Sequence, residues 1–252
     1  MTCVNKTKMN SEAAFESISI DAFTARLDHL VETTNDKKVK IISVNGSVAA
    51  GKTTFTEQLK AYFLEKHKSV QVIHTDSFLL SNKELAERNL MDKKGFPVTY
   101  QQAKIRSVLK QIAMGDVPII VPQYSHAAYN IVEEYQFIEA ADIYIIEGIG
   151  FKSKEYSNWI DLSLFLDAKI ENIGKWYRRR FIKNISLAKP DSILKKYEKY
   201  PENRLKKVMD HNWNEVNLIN YYENILPEKS QSDIILEKNE VHKIVNIYSR
   251  KR

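Results

Sequence analysis

The segment Val44-Asn45-Gly46-Ser47-Val48-Ala49-Ala50-Gly51-Lys52-Thr53-Thr54 sets two glycines, a lysine and a threonine at the G-x-x-x-x-G-K-[ST] spacing. Between Gly46 and Gly51 the backbone N–H groups can curl around the α- and β-phosphates of a nucleotide, and a helix beginning just behind them adds its partial positive charge. Lys52 then reaches the β- and γ-phosphates, and Thr53 offers a hydroxyl to Mg²⁺. The chemistry expected of Gly46, Ser47, Val48, Ala49, Ala50, Gly51, Lys52, Thr53 and Thr54 is the cradling of a nucleoside triphosphate, with ATP and Mg²⁺ as cofactors. A plain glycine turn ahead of a helix is the alternative. The setting disfavours it, because Val39 to Val44 reads as a buried strand and Phe55 to Lys66 as a helix with apolar residues at helical spacing.

Two acidic residues close other apolar runs. Asp76 follows Val72-Ile73-His74-Thr75, and Glu147 follows Ile143-Tyr144-Ile145-Ile146 and precedes Gly148. In a parallel sheet both would project toward the phosphate loop. Moving a phosphoryl group requires a positioned metal, neutralised charge and an acceptor for the substrate hydroxyl's proton. Asp76 is the candidate base, and Glu147 the candidate for binding Mg²⁺ directly or through water. The competing reading is that each carboxylate caps the turn after its strand. Further along, Trp176-Tyr177-Arg178-Arg179-Arg180-Phe181 falls in a predicted helix. Helical spacing spreads three consecutive arginines around the axis, so at most one or two face a given site. One guanidinium aimed at the transferring phosphate would offset transition-state charge; the others read as solvated.

The order of the apolar runs supplies what must position these residues. Short runs at Val70–Ile73, Ile119–Val121, Ile143–Ile146, Leu162–Leu166 and Ile234–Leu236 alternate with helical or polar stretches. That alternation predicts an α/β fold of P-loop NTPase type: a mostly parallel sheet with helices on both faces and ligands outside the carboxyl ends of the strands. Ahead of it, Ser11 to Thr34 reads as one or two amphipathic helices burying Phe15, Ile18, Ile20, Phe23, Leu27 and Leu30, and Thr33 to Lys38 as a polar linker. The expected organisation is an N-terminal helical extension and linker over 1–37 and a kinase domain over 38–252.

Composition limits the partners. The 252 residues, 43% hydrophobic and 28% charged, suffice for one large domain with a continuous core. No stretch approaches the ~18 apolar residues of a membrane span, and Met1 to Asn10 is polar without a signal-peptide core, so a cytoplasmic chain with no membrane partner is expected. Cys3 is the single cysteine, which leaves neither a disulfide framework nor a thiolate metal site. The net charge of +6 permits nucleic-acid binding. Yet the basic residues are scattered, apart from Arg178-Arg179-Arg180 and Arg250-Lys251-Arg252, and no recognised nucleic-acid module is present. A solvated basic surface with no nucleic-acid partner is the expectation.

Taken in order, Gly46 to Thr54, His74-Thr75-Asp76-Ser77-Phe78-Leu79, Leu90-Met91-Asp92-Lys93-Lys94-Gly95-Phe96-Pro97 and Pro122-Gln123-Tyr124-Ser125-His126-Ala127-Ala128-Tyr129 resemble the successive signatures of bacterial type I pantothenate kinases. Ile146-Glu147-Gly148, Trp176-Tyr177 with Arg180-Phe181, and Asn220 followed by Asn224-Ile225-Leu226-Pro227 continue the likeness, which runs from about Lys38 to about Val245. The resemblance implies ATP-dependent phosphorylation of the terminal hydroxyl of pantothenate, an early step toward coenzyme A. It implies catalytic roles for Asp76 as base, Lys52 at the nucleotide and Arg180 in the transition state. Thr53 and Glu147 would serve the metal. Tyr124, His126, Tyr129, Tyr177, Phe181 and Asn220, with Asp76 and Arg180, would line the pantothenate pocket. Pantothenate offers a carboxylate, an amide and hydroxyls, which Tyr, His and Asn donors inside an aromatic wall can match.

The chain departs from the family pattern at several points. Asn184 and Lys189 stand where aromatic residues are usual, which predicts a more polar wall at the far end of the substrate. Glu57 stands where an arginine associated with the inhibitor coenzyme A is usual, so weakened feedback is expected, an acidic group opposing the inhibitor's phosphates. The segment ahead of the loop is shorter than in the family, which loosens the implied homodimer. The lysine-rich stretch of roughly Arg178 to Tyr200 is the expected lid over the γ-phosphate. Two other readings remain: a kinase of the uridine kinase or phosphoribulokinase type acting on another small hydroxylated substrate, and a non-catalytic nucleotide-dependent regulator.

Overall fold

The run Lys40–Gly46 is buried along its whole length, which a strand achieves only when both faces of its sheet are covered. In the computed structural model, which describes residues 14–32, 39–149 and 153–251, this run is β2, an interior strand of a seven-stranded sheet. The other members are β1 (Phe15–Ile18), β3 (Val70–His74), β6 (Ile143–Glu147), β7 (Leu162–Ala168), β8 (Ile234–Lys238) and β9 (Ile244–Arg250), in the order β1-β9-β8-β7-β2-β6-β3. From β8 through β3 every pairing is parallel, while β9 runs antiparallel to β8 and to β1.

Alternate residues of β2 feed different layers. Ile42 and Val44 pack with Phe23 and Leu27 of α1 (Ile20–Glu32) and with Phe55, Leu59 and Phe63 of α2 (Lys52–Glu65). Ile41 points the other way, into a cluster with Ile73, Tyr144, Ile146 and the Ile105, Leu109 and Ile112 face of α4 (Gln102–Met114). Between them lies the short α3 (Asn82–Glu87), opened by a reciprocal Ser81–Glu84 capping box. On the same side, beyond the four-residue α5 (Ser153–Tyr156), α6 (Ile170–Ser186) sets Ile173, Trp176 and Tyr177 against Phe165 and Ile235. Each fully buried Leu, Ile or Phe adds about 1.5–3 kcal/mol, so the two-sided core holds the strand ends rigidly. Helices on both faces of a mostly parallel sheet are the predicted arrangement. No helix among the described residues is long and apolar enough to cross a membrane.

Two elements differ from the sequence expectation. Phe15–Ile18, expected to be helical, is an edge strand paired with Ile247–Arg250. Four residues are too few to show a period, and their partner lies at the far end of the chain. Phe23 and Leu27 are buried as expected, but Ile20 is exposed, because the helix begins there rather than at Ser11. Cys3, the start of that predicted helix and the 33–38 linker lie outside the described residues. Ile119–Val121 is not part of the large sheet. It opens β4 (Ile119–Ser125), which forms a separate antiparallel hairpin with β5 (Asn130–Ile138) beside the active end.

Register brings the strand ends level: Glu147 lies opposite Val44 on one side and His74 on the other. The chain then turns sharply at Gly148, whose φ of +153° leaves a Cβ in collision with the Thr75 hydroxyl. Gly148→Ala is expected to lower unfolding stability by about 2–3 kcal/mol. Denaturant unfolding would show it as a reduced midpoint at unchanged slope; an unchanged midpoint would mean that the turn has room to relax.

Candidate active site

The phosphate loop is shaped by contact with β7. A Cβ on Gly46 would stand 2.6 Å from the Leu166 carbonyl oxygen, so only glycine lets the loop leave β2 along this path. Curling inward, the loop turns two carbonyls onto Lys52, whose Nζ donates to Gly46 O at 3.2 Å and Ser47 O at 2.9 Å. Lys52 is 7% exposed. Burial pulls its pKa down, opposed by the charges of Glu147 and Asp76. An ammonium held by neutral carbonyls near two carboxylates is what a polyphosphate complements, so the residues fit ATP.

One residue on, the Thr53 hydroxyl donates to Glu147 Oε2 at 3.2 Å, and the same oxygen lies 2.6 Å from His74 Nδ1. Burial works against the Glu147 charge, but the hydrogen bond from His74 and the charge of Lys52 outweigh it and hold the carboxyl below its ordinary value. Among the described residues no group of three or more His, Cys, Asp or Glu side chains gathers to hold a metal alone. That suits Mg²⁺, which is usually bound through one or two protein groups plus substrate phosphates. Asp76 sits in the tight turn Thr75–Phe78 just after β3 and accepts from the Tyr100 hydroxyl at 3.3 Å.

The β4–β5 hairpin carries the aromatic wall. Tyr124 packs edge-on against His126 and Tyr129, with centroids 5.2 and 6.5 Å apart. Burial pushes both tyrosines upward, Tyr129 to about 12, with the Asp76 charge a further cause for each. Arg180, from α6, reaches His126 Nε2 at 3.2 Å. Of its neighbours, expected to be solvated, Arg178 is instead spent on Asp210 at 2.8 Å, and Arg179 is exposed. Tyr177 packs on Trp213 and Phe181, and Phe181 on Tyr197. Asn220 is buried between two π-helical turns, donating to Gly95 O at 2.9 Å and accepting from Asn224 at 3.0 Å. Lys52, Thr53, Glu147 and Asp76 therefore meet at the strand ends. Tyr124, His126, Tyr129 and Arg180 form a second group alongside, and Tyr177, Phe181 and Asn220 belong to a wall of helical segments.

Sequence reasoning passed over several participants. Lys94 Nζ donates to Asn82 Oδ1 and Tyr129 O, both at 2.6 Å, and lies over the rings of Tyr124 and Tyr129. Lys238 donates to Ala50 O at 3.0 Å, so the loop rests on a second lysine from β8. Nearby, His242 stacks on Trp176 with centroids 3.7 Å apart. His74 and Lys94 could have been suspected from their places in the His74–Leu79 and Met91–Pro97 motifs; Tyr100, Lys238 and His242 carry no local signal.

A phosphate loop with its lysine buried, a threonine paired to a carboxylate at the next strand end, and an aspartate facing an aromatic pocket define a phosphate-loop kinase. Residues 41–183 match the family described as Phosphoribulokinase / Uridine kinase family. The pantothenate kinase of Serratia proteamaculans is 35% identical over 90% of this chain and 77% of its own length. That of Coxiella burnetii is 37% identical over 84% and 71%. Phosphoribulokinase from Rhodobacter spheroides shares the fold, with a TM-score of 0.55 and 15% identity over 79% of this chain and 70% of that one. The chain belongs to the phosphoribulokinase and uridine kinase family and, within it, to the pantothenate kinases.

Burial pushes Lys94 and Lys238 each down to about 8. Ordinary lysines release their proton near ~10.4. Between these values the unfolded chain keeps protons the folded chain has lost, so both groups make folding more favourable as pH rises through that window. Lysine-selective NMR should show two resonances titrating near pH ~8, one disappearing in Lys94→Met and the other in Lys238→Met. Uniform titration near the ordinary value would contradict the burial of both.

Proposed function

We propose that this chain transfers the γ-phosphoryl group of ATP to the primary hydroxyl of pantothenate, giving 4'-phosphopantothenate, and that the residues brought together at the strand ends carry the reaction. The observation that supports the reading is that the charge of Asp76, held by the Tyr100 hydroxyl just past β3, is felt both at Lys52 and at Tyr124, His126 and Tyr129. A base so placed can serve a hydroxyl on one side and a phosphate on the other.

In this reading Gly46 to Thr54 cradle the polyphosphate through backbone N–H groups, and Lys52 neutralises the β- and γ-phosphates. Thr53 and Glu147 would hold Mg²⁺, which would supply positive charge to offset that of the phosphates. Asp76 orients the substrate hydroxyl and takes its proton as the hydroxyl oxygen bonds to the γ-phosphorus and the bond to the β-phosphate oxygen breaks. Arg180 compensates the charge of the moving phosphoryl group from the far side. Tyr124, His126, Tyr129, Tyr177, Phe181 and Asn220 line the acceptor pocket and supply donors to its amide and carboxylate. The kinase domain is read as 38–252, with β1 and α1 of the preceding segment joined to its sheet and core, and the stretch of about 178–200 acts as its lid. Supporting the last point, the Lys189 N–H donates to Ala127 O on the hairpin, so the stretch already touches the acceptor wall. A cytoplasmic location and no nucleic-acid partner belong to the same reading, carried by the apolar-run and charge patterns; a homodimer is implied by the family resemblance alone and is weakened by the shorter segment ahead of the loop.

Coenzyme A inhibition is weaker in this reading than is usual for the family. Glu57 lines an opening with Thr53, Thr54, Gln58 and Ala61 beside the loop, and its negative charge is felt at His74. A phosphorylated inhibitor entering there meets repulsion. Strong competition with ATP at low micromolar coenzyme A would overturn this.

Product formation from pantothenate and Mg-ATP tests the assignment. Asp76→Asn is expected to lose about 10²–10⁴-fold in turnover. Arg180→Ala should lose about 10²-fold or more in turnover with ATP affinity nearly retained. Equal losses of binding and turnover would make Arg180 a ground-state clamp. Turnover confined to uridine, ribulose 5-phosphate or glycerate would replace pantothenate as substrate.

A further inference from the structure

We propose that His74 is a positioning residue for the metal site: its imidazole holds the Glu147 carboxylate, and through that carboxylate it turns the Thr53 hydroxyl toward the cation. The proposal rests on the reading of Thr53 and Glu147 as the Mg²⁺ residues and adds a residue which that reading does not contain.

The geometry follows from register. His74 ends β3, Glu147 ends β6, and the two are direct partners in the parallel ladder. Their side chains leave neighbouring strands at one level, which brings Nδ1 to 2.6 Å from Oε2. A ring nitrogen this close to a carboxylate oxygen carries a proton, because two facing lone pairs would repel. Thr53 Oγ1 donates to the same oxygen at 3.2 Å. Oε2 thus gathers two donors from two elements, while Oε1 has no hydrogen bond among the described residues.

That division has a chemical consequence. A threonine hydroxyl has one proton and two acceptor lone pairs. With its proton committed to Glu147, both lone pairs turn toward the phosphate side, where a hard cation needs oxygen donors. A glutamate has three side-chain torsions, and the single 3.2 Å bond from Thr53 leaves them loosely held. The shorter bond from His74 removes that freedom. The His74 side chain is 43% exposed and that of Glu147 only 7%, so the ring is the more solvent-facing member of the pair. Groups that orient metal-binding side chains from behind commonly change metal affinity by about 10–100-fold when removed.

The test measures Mn²⁺ uptake by the full chain, with protein in excess over ADP so that the nucleotide is bound, from the free-Mn²⁺ signal in electron paramagnetic resonance. His74→Ala should weaken Mn²⁺ binding about tenfold while ADP affinity in EDTA stays at the wild-type value. His74→Asn, which keeps an N–H donor near the Nδ1 position, should recover most of the loss. Thr53→Ala serves as the reference for the metal-site reading. If Thr53→Ala weakens Mn²⁺ binding and His74→Ala does not, the positioning role alone is overturned. If neither variant changes it, the metal-site reading fails and the proposal with it. A His74→Ala chain whose ADP affinity in EDTA falls by the same factor as its Mn²⁺ affinity would show a distorted loop, and would overturn the proposal as well.

Discussion

Keeping the Lys52 ammonium charged while almost removing it from water costs several kcal/mol unless the surroundings supply compensation. The compensation comes from three directions. The Gly46 and Ser47 carbonyls accept its protons, and the carboxylates of Glu147 and Asp76 favour its charge from neighbouring strand ends. Each demand reaches back into the fold. The carbonyls face inward only because Gly46 can lie against the Leu166 backbone, and the carboxylates are within range only because β2, β6 and β3 are in parallel register. The two-sided core keeps that register from slipping, since a one-residue shift would exchange Ile41 for Ile42 between layers.

Around this rigid centre the acceptor wall is built from less regular parts. The β4–β5 hairpin is joined to the site through Lys94, which bonds the Tyr129 carbonyl and Asn82 and faces two tyrosine rings. Asn220, proposed for the acceptor pocket, is held by its neighbours. One N–H goes to Gly95 and one oxygen lone pair to Asn224, leaving one donor and one acceptor position unused by these two bonds. The π-helical turns on either side of it rotate the helix face locally, and such turns are frequently found at functional sites. The three arginines divide in the same way: Arg178 is tied to Asp210, and Arg180 is aimed at the hairpin.

The sequence by itself determined the phosphate loop, the parallel core strands and the two acidic residues at their ends. These rest on local physics: a glycine spacing, an unbroken apolar run, a carboxylate at or just past the end of such a run. The ordered motifs extended that reading to the aromatic wall. Only the tertiary structure decided that Phe15–Ile18 is an edge strand and that Ile119–Val121 belongs to a hairpin, because strand pairing is a contact between distant segments and leaves little trace in either one. The same reason hid Tyr100 and Lys238. Each is an ordinary polar residue in its own segment, and acquires a role through a partner 24 or 188 positions away in the chain.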